Sequence, residues 1–148
     1  MNIMIINGPN LNMLGIREPS IYGYQTYNDL CLYIDTLSKN YNFKYCIFQT
    51  NSEGKFIDYL QNAQIEKYDG VIINPGAYAH YSYAIMDALA GMTMKKVEVH
   101  LTDITKRENF RHLSVTSLKC DKVFMGEYFE SYHKAILFLI KGETHEWI

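Results

Sequence analysis

Five short apolar runs alternate with segments of helical periodicity, and this alternation constrains the fold more than any other feature of the sequence. The predicted strands are residues 2–6, 43–49, 70–74, 96–100 and 122–125. Strands that alternate with helices are typical of βαβ units, which place parallel strands in one sheet with helices on both faces. We therefore predict an α/β fold, a flavodoxin-like doubly wound sheet of five parallel strands. At 148 residues the chain fits a single domain, 1–148.

The helical segments are recognised by apolar residues at intervals of three and four. The first helix is expected to start near Thr26, whose hydroxyl can cap it. A short helix carrying Arg107 and Arg111 is expected after the turn 101–105. The apolar positions expected to face the sheet are Leu30, Ile34, Leu37, then Phe56, Tyr59, Leu60, Ala63, then Ala84, Ile85, Ala88, Leu89, and finally Tyr132, Ile136, Leu139, Ile140.

The connection after the first strand is far longer than a turn requires. Connections in α/β units usually take about 2–6 residues, whereas this loop runs from residue 7 to residue 23 with three glycines and two prolines. Glycines permit hinges and prolines stiffen the chain between them, which predicts a functional lid. The lid carries Asn10, Arg17 and Tyr22. A guanidinium beside a phenol favours the tyrosinate, which can act as a general base.

Polar side chains collect at the predicted carboxyl ends of three strands. They are, in chain order, Asn7, Asn10, Arg17, Tyr22, Asn74, His80, Glu98 and His100. Ligands of open parallel sheets bind at this edge, so we expect these side chains to line one cleft. Glu98 and His100 are two residues apart on a strand and therefore point to the same face. Such a pair can be an oriented general acid or a purely structural ion pair.

Two further positions are open to two interpretations. His80 and Asp87 are seven residues apart around a predicted helix start, so we expect them on one stripe, about 10 Å apart along the axis. Both can grip hydroxyl groups of a polyol, or they can lie on a solvent-exposed helix face. Arg111 can likewise bind a ligand or be an ordinary surface charge.

Composition and absent motifs exclude several classes of function. The net charge is −2, with 14 basic and 16 acidic residues, which leaves no electrostatic footprint for nucleic acid. No apolar stretch approaches the roughly 20 residues of a membrane helix, and we expect no signal peptide. The segment after the first strand lacks the glycine motifs of dinucleotide and nucleoside triphosphate sites.

The cysteines and histidines predict no metal centre. Cys31, Cys46 and Cys120 are an odd number without metal-ligand spacing, which fits reduced thiols and a cytoplasmic location. Cys31 and Cys46 are predicted to be core residues. The histidines, of which His145 is the last, form no pair at metal-binding spacing.

Four separated motifs, taken together, resemble type II 3-dehydroquinate dehydratases over nearly the whole chain. They are Asn7-Gly8-Pro9-Asn10-Leu11 with Arg17-x-Pro19-x-x-Tyr22-Gly23, Asn74-Pro75-Gly76-Ala77-Tyr78-x-His80 with Asp87, Glu98-Val99-His100-Leu101-Thr102, and Arg107-Glu108-x-Phe110-Arg111. The resemblance implies a cofactor-free lyase of the shikimate pathway, which converts 3-dehydroquinate to 3-dehydroshikimate and water by anti elimination through an enolate. The alternative is a catalytically inactive small-molecule binding module of the same fold. Loss of Arg17, Tyr22 or His100 would mark that alternative, and all three are present.

The resemblance also implies a role for each site residue. Tyr22 is then the base that removes the C2 proton, and Arg17 holds it as tyrosinate. Asn10 stabilises the enolate through a bound water, and His100, oriented by Glu98, protonates the departing C1 hydroxyl. The residues implied to bind the substrate are Asn74, His80, Asp87, Leu101, Thr102 and Arg111.

Assembly is a further implication of the resemblance. Relatives form dodecamers built as four trimers, in which the residue matching Asp87 reaches a neighbouring subunit's site. The chain departs from the family pattern at Met86, Asp103, Lys122 and Tyr128, where arginine, asparagine and two glycines are common. None of these is a proton-transfer position, so the departures bear on subunit contacts and substrate affinity.

Overall fold

A five-stranded parallel sheet forms the centre of the computed structural model, which describes residues 1–142. His145 therefore lies outside the described residues. The strand order is β2-β1-β3-β4-β5. The strands are β1 (Asn2–Asn7), β2 (Lys44–Gln49), β3 (Gly70–Asn74), β4 (Lys95–His100) and β5 (Lys122–Met125). This is the strand order of flavodoxin-like proteins, so the predicted fold class is confirmed.

Helices of very different length connect the strands. They are α1 (Pro19–Tyr22), α2 (Tyr27–Tyr41), α3 (Glu53–Ile65), α4 (Tyr83–Ala90) and α5 (Phe129–Lys141). Thr26 caps α2 as predicted, since its hydroxyl accepts a hydrogen bond from the Asp29 N–H at 3.1 Å while the Asp29 carboxylate accepts from the Thr26 N–H at 2.9 Å. This reciprocal pair satisfies two backbone donors that the helix itself leaves unpaired. Within the described residues, no helix is both long and apolar enough to cross a membrane.

The sheet buries a separate apolar cluster on each face. Ile3 and Ile5 of β1 point to the side covered by α2 and α5, whereas Met4 and Ile6 point to the side covered by α3 and α4. All four side chains are fully buried. Burial of each side chain stabilises the fold by roughly 1.5–3 kcal/mol relative to an exposed position. The strand from which the long loop starts is therefore firmly held.

Two predicted core positions are exposed. Ala84 faces solvent in the first turn of α4, because the buried stripe of this helix is carried by Ile85 and Leu89, four residues apart. Cys46 is exposed because β2 is an edge strand, and its Sγ accepts a hydrogen bond from the Tyr68 hydroxyl at 3.2 Å. Cys31 is only partly buried.

The predicted short helix carrying Arg107 and Arg111 is instead two separate 3-10 turns. They span Ile104–Lys106 and Asn109–Arg111, and Arg107 lies between them with an extended backbone (φ −103°, ψ −163°). Asp103 caps the start of the first turn, since its carboxylate accepts from the Thr105 N–H at 3.0 Å. The interruption lets the Arg107 side chain reach the lid loop.

Candidate active site

The lid loop forms one wall of a cleft at the carboxyl ends of the strands. Leu11 and Leu14 are 8% and 5% exposed and pack into the core, which fixes the first half of the loop. Asn10 adopts the left-handed conformation (φ 70°, ψ −4°), which asparagine tolerates better than most residues. Its N–H donates to Asn51 Oδ1 at 3.0 Å. The loop therefore holds Asn10 at the cleft as a fixed polar group.

Two guanidinium groups lie close to Tyr22. Arg107 Nη1 donates a hydrogen bond to the Tyr22 hydroxyl at 2.8 Å. The Cζ atoms of Arg17 and Arg107 each lie 5.2 Å from the centroid of the Tyr22 ring. Both cations lie near the phenol, but the direct contact with its oxygen comes from Arg107. The sequence named Arg17 for this position, and the structure adds Arg107 as a second cation beside the phenol.

Glu98 and His100 form a buried pair at the end of β4. Glu98 is fully buried and its Oε2 lies 2.7 Å from His100 Nε2, as the same-face argument predicts. Two hydroxyls also donate to this carboxylate, Ser114 to Oε2 at 2.6 Å and Thr116 to Oε1. With three partners the buried carboxylate is well satisfied. Its Nε2 contact leaves His100 Nδ1 as the nitrogen available to the cleft.

A second buried network holds the ends of β1 and β3 together. The Tyr132 hydroxyl, on α5, donates to Asn7 Oδ1 at 2.5 Å and accepts from Asn74 Nδ2 at 2.9 Å. Asn74 Oδ1 in turn accepts from the Gly76 N–H at 3.3 Å. Burial raises the pKa of Tyr132, so its hydroxyl keeps the proton that this arrangement requires. Because that single proton goes to Asn7, the orientation of the Asn74 amide is set.

His80 and Arg111 approach the cleft from two 3-10 turns. His80 Nδ1 lies 2.9 Å from the Leu113 carbonyl. Burial lowers the pKa of His80 below its ordinary value, against the opposing effect of that carbonyl, so the ring is neutral and donates from Nδ1. Its Nε2 is then an acceptor for a hydroxyl group. The Arg111 side chain is 22% exposed and its Nε donates to the Glu108 carboxylate, so it is not a free surface charge.

The expected stripe of His80 and Asp87 on one helix is wrong. His80 belongs to the 3-10 turn Gly76–His80, and α4 begins only at Tyr83 after a break capped by Ser82. The Ser82 hydroxyl accepts from the Ile85 N–H at 3.1 Å and so caps the start of the helix. Asp87 is exposed on α4 and is not among the residues lining this chain's cleft.

The cleft encloses about 640 Å³ of non-protein space, including its open mouth. The structure brings together nine of the predicted site residues at its wall, namely Asn10, Arg17, Tyr22, Asn74, His80, His100, Leu101, Thr102 and Arg111. Glu98 and Asn7 do not line this wall, and they contact His100 and Tyr132 respectively. In residues 1–142, no cluster of three or more histidine, cysteine, aspartate or glutamate side chains is arranged to hold a metal ion.

Sequence reasoning missed four side chains of the site. Arg107 stands within a quoted motif, so a signal existed for it, although its partner Tyr22 is 85 positions away. Ser114 and Thr116 lie in a loop without periodicity, and Tyr132 was predicted only as an apolar core position. Each of these contacts joins residues distant in sequence, which spacing arguments do not detect.

The chain is similar to known proteins over nearly its full length. A family model described as dehydroquinase class II matches residues 1–140. The chain is 51% identical over 136 residues to the 3-dehydroquinate dehydratase of Clostridium beijerinckii, covering 92% of this chain and 93% of that protein. It is 56% identical over 120 residues to the protein of the same name from Clostridium perfringens, covering 81% and 83%. The crystal structure of a type II dehydroquinase from Butyrivibrio crossotus is similar with a TM-score of 0.93 and 48% identity, over 95% of this chain and 97% of that one.

Proposed function

The chain belongs to the class II dehydroquinase family, and on this premise we propose that it dehydrates 3-dehydroquinate to 3-dehydroshikimate, without a cofactor, in the shikimate pathway. One observation carries the proposal: a single cleft holds a phenol hydrogen-bonded to a guanidinium and an imidazole hydrogen-bonded to a buried carboxylate. The first is an activated base and the second an oriented acid, which are the two groups an elimination of water needs.

The first step is removal of the C2 proton, which is acidified by the neighbouring C3 ketone. Tyr22 takes this proton as tyrosinate, and Arg17 and Arg107 stabilise its negative charge before the transfer. The electrons of the C2–H bond move to the ketone oxygen and form an enolate. Asn10, fixed at the cleft wall by its own backbone contact with Asn51, stabilises this oxygen through a bound water. Preorganised donors at developing charge are usually the largest catalytic contribution.

The second step breaks the C1–O bond. As the enolate returns its electrons to form the C1–C2 double bond, His100 gives a proton from Nδ1 to the departing hydroxyl, which leaves as water. The Glu98 carboxylate compensates the charge of the imidazolium through its 2.7 Å contact with Nε2. Ser114 and Thr116 hold that carboxylate in place, so the orientation of the acid is fixed by side chains that do not touch the substrate.

The remaining polar groups of the cleft bind the substrate carboxylate and hydroxyls. Asn74 presents its amide from the rigid end of β3, and the backbone of Leu101–Thr102 continues the cleft wall after β4. His80 supplies a neutral ring with a free acceptor nitrogen, and Arg111 supplies a cation. These groups come from different elements and surround the substrate. Such an arrangement suits a small acid that carries several hydroxyl groups.

Assembly into a dodecamer of four trimers is part of the proposal, with the trimer as the smaller alternative. Asp87 is exposed on α4, where it can complete a neighbour's site. Exposed apolar side chains lie on the adjoining segments, and large exposed apolar residues mark interaction surfaces. They are Tyr81, Tyr83, Phe110, Leu113 and Leu118. Light scattering tests this directly: twelve copies of the 17.3 kDa chain have a mass of about 208 kDa. A fully active monomer would contradict it.

We also propose a cytoplasmic location, which the three free cysteines Cys31, Cys46 and Cys120 support. Fractionation of the native cells, with detection of the protein in the soluble cytoplasmic fraction, tests this location. Its appearance in an exported fraction would contradict it.

The test of the reaction is to mix the purified protein with 3-dehydroquinate and follow the ultraviolet absorbance of the conjugated product. We expect a rise in absorbance that is saturable in substrate and persists after extensive dialysis against a chelator. Binding of 3-dehydroquinate by calorimetry without any absorbance change would instead identify an inactive binding module.

A further inference from the structure

Tyr128 has a backbone conformation that a tyrosine rarely adopts. Its φ is 52° and its ψ is −127°, immediately before α5. Asn42, with φ 55° and ψ 57°, lies in the ordinary left-handed helical region, whereas the ψ of Tyr128 lies far outside it. Glycine reaches this region freely, but a bulky side chain does so only at a cost in free energy. Something in the structure must compensate for that cost.

The hydroxyl and the backbone N–H of Tyr128 contact the active-site loops. Its hydroxyl donates to the carbonyl of Ile21 at 2.7 Å, the residue directly before Tyr22. Its backbone N–H donates to the carbonyl of Leu101 at 2.9 Å, the residue directly after His100. The ring also lies beside the lid, since a Cβ at Gly23 would stand 3.8 Å from Tyr128 Cε1. One residue therefore joins the segment of the base to the segment of the acid.

The lid has few anchors of its own at this point. Helix α1 is a single turn of 4 residues and buries none of them. Gly23 follows α1 with a φ of 83°, and as a glycine it has no side chain that could anchor the lid. Few buried contacts are the mark of a segment that opens easily. Tyr22 itself packs against the core and accepts from Arg107, so an outside contact that holds the Ile21 carbonyl fixes the backbone from which its side chain extends.

We propose that Tyr128 is a positioning residue for Tyr22, holding α1 in the arrangement in which the Tyr22 hydroxyl meets Arg107. The strained backbone at Tyr128 directs its ring toward the lid. This orientation allows its hydroxyl to bond the Ile21 carbonyl. The inference rests on the proposed function only in naming Tyr22 as the base. The claim that Tyr128 holds the lid in place does not depend on that function.

The test uses two variants of Tyr128 and one matched control. Tyr128→Phe keeps the ring and loses the hydroxyl, so kcat falls roughly 2- to 10-fold. KM changes little, because Asn74, His80 and Arg111 bind the substrate from other elements. Tyr128→Gly relieves the backbone strain, so it unfolds at a higher temperature than Tyr128→Phe, yet its kcat is no higher. Tyr24→Phe, which removes a hydroxyl from a side chain that directly follows the lid and is 81% exposed, leaves kcat unchanged.

Hydrogen exchange measures the opening of the lid independently of enzyme activity. The amides of Ile21, Tyr22 and Gly23 are bonded within α1, at 2.9, 3.0 and 2.7 Å, and their exchange in Tyr128→Phe is expected to be faster than in wild type and in Tyr24→Phe. Unchanged exchange in Tyr128→Phe would overturn the positioning role, whatever the kinetics. A wild-type protein that fails to convert 3-dehydroquinate would refute the proposed function, while the exchange comparison still decides the role of Tyr128.

Discussion

Replacing Arg107 by Gln removes the hydrogen bond of 2.8 Å that its guanidinium donates to the Tyr22 hydroxyl, together with a full positive charge at that oxygen. Hydrogen bonds to charged groups are worth about 1.5–3 kcal/mol, which corresponds to a loss of roughly 10- to 150-fold in kcat/KM. Arg17 remains over the ring with its Cζ 5.2 Å from the centroid, so a reduced stabilisation of the tyrosinate persists. We therefore expect a slow enzyme rather than an inactive one.

The assay is the initial rate of product absorbance. In Arg107→Gln this rate falls because the hydrogen bond to the Tyr22 hydroxyl is gone. Lys106→Gln is the matched control, since it removes a cation one position away whose side chain is 83% exposed. A rate unchanged in Arg107→Gln, or lowered equally in Lys106→Gln, would refute the assignment of Arg107 as the partner of the base.

Three further expectations follow from the same site. In His100→Ala, exchange of the substrate C2 proton with solvent, followed by NMR, outlasts net dehydration; a proportional fall in both would argue against a dedicated acid. Thr116→Val removes a donor to the buried Glu98 and lowers the free energy of unfolding by about 1.5–3 kcal/mol, measured in urea, with a fall in kcat; an unchanged midpoint and rate would contradict the network. His80 has a lowered pKa, so the unfolded chain binds a proton there before the folded chain does, and stability contributed by the neutral ring is lost as pH falls below about 6.5. The stability difference between wild type and His80→Gln therefore shrinks from pH 7.5 to pH 5, and a constant difference would disprove this.

The strands were accessible from the sequence because burial on both faces leaves a direct signature. The run 70–74 was predicted with the bounds that β3 has, and every one of its residues is buried. The Thr26 cap was equally accessible, since capping is a contact between residues three positions apart. Signals of this kind depend on local chemistry and on whether a segment faces the core.

Predictions failed where a local pattern is overridden by packing. Ala84 fits the apolar spacing of α4, but that short helix needs only Ile85 and Leu89 to cover the sheet. Cys46 lies in an apolar run, but the run is an edge strand, and position in the sheet cannot be read from the run itself. The break between His80 and Tyr83 likewise depends on how the 3-10 turn packs, not on helix propensity.

The site was predicted in part for the same physical reason. Residues at strand ends, such as Asn74 and His100, converge because parallel strands end at one edge of the sheet. The support of Glu98 by Ser114 and Thr116 arises from a loop that folds back over β4, with contacts 16 and 18 positions apart. No periodicity encodes such contacts, so only the structure reveals them.

The measurement that tests the central claim most directly compares wild type with Tyr22→Phe, which removes the hydroxyl bonded to Arg107 and keeps the ring beside the two guanidinium groups. Turnover of 3-dehydroquinate by absorbance and its binding by calorimetry are measured on the same samples. If Tyr22 is the base, turnover falls by at least about 10²–10⁴-fold while the Kd changes little. A variant that binds normally and keeps more than half of the wild-type rate would contradict the claim.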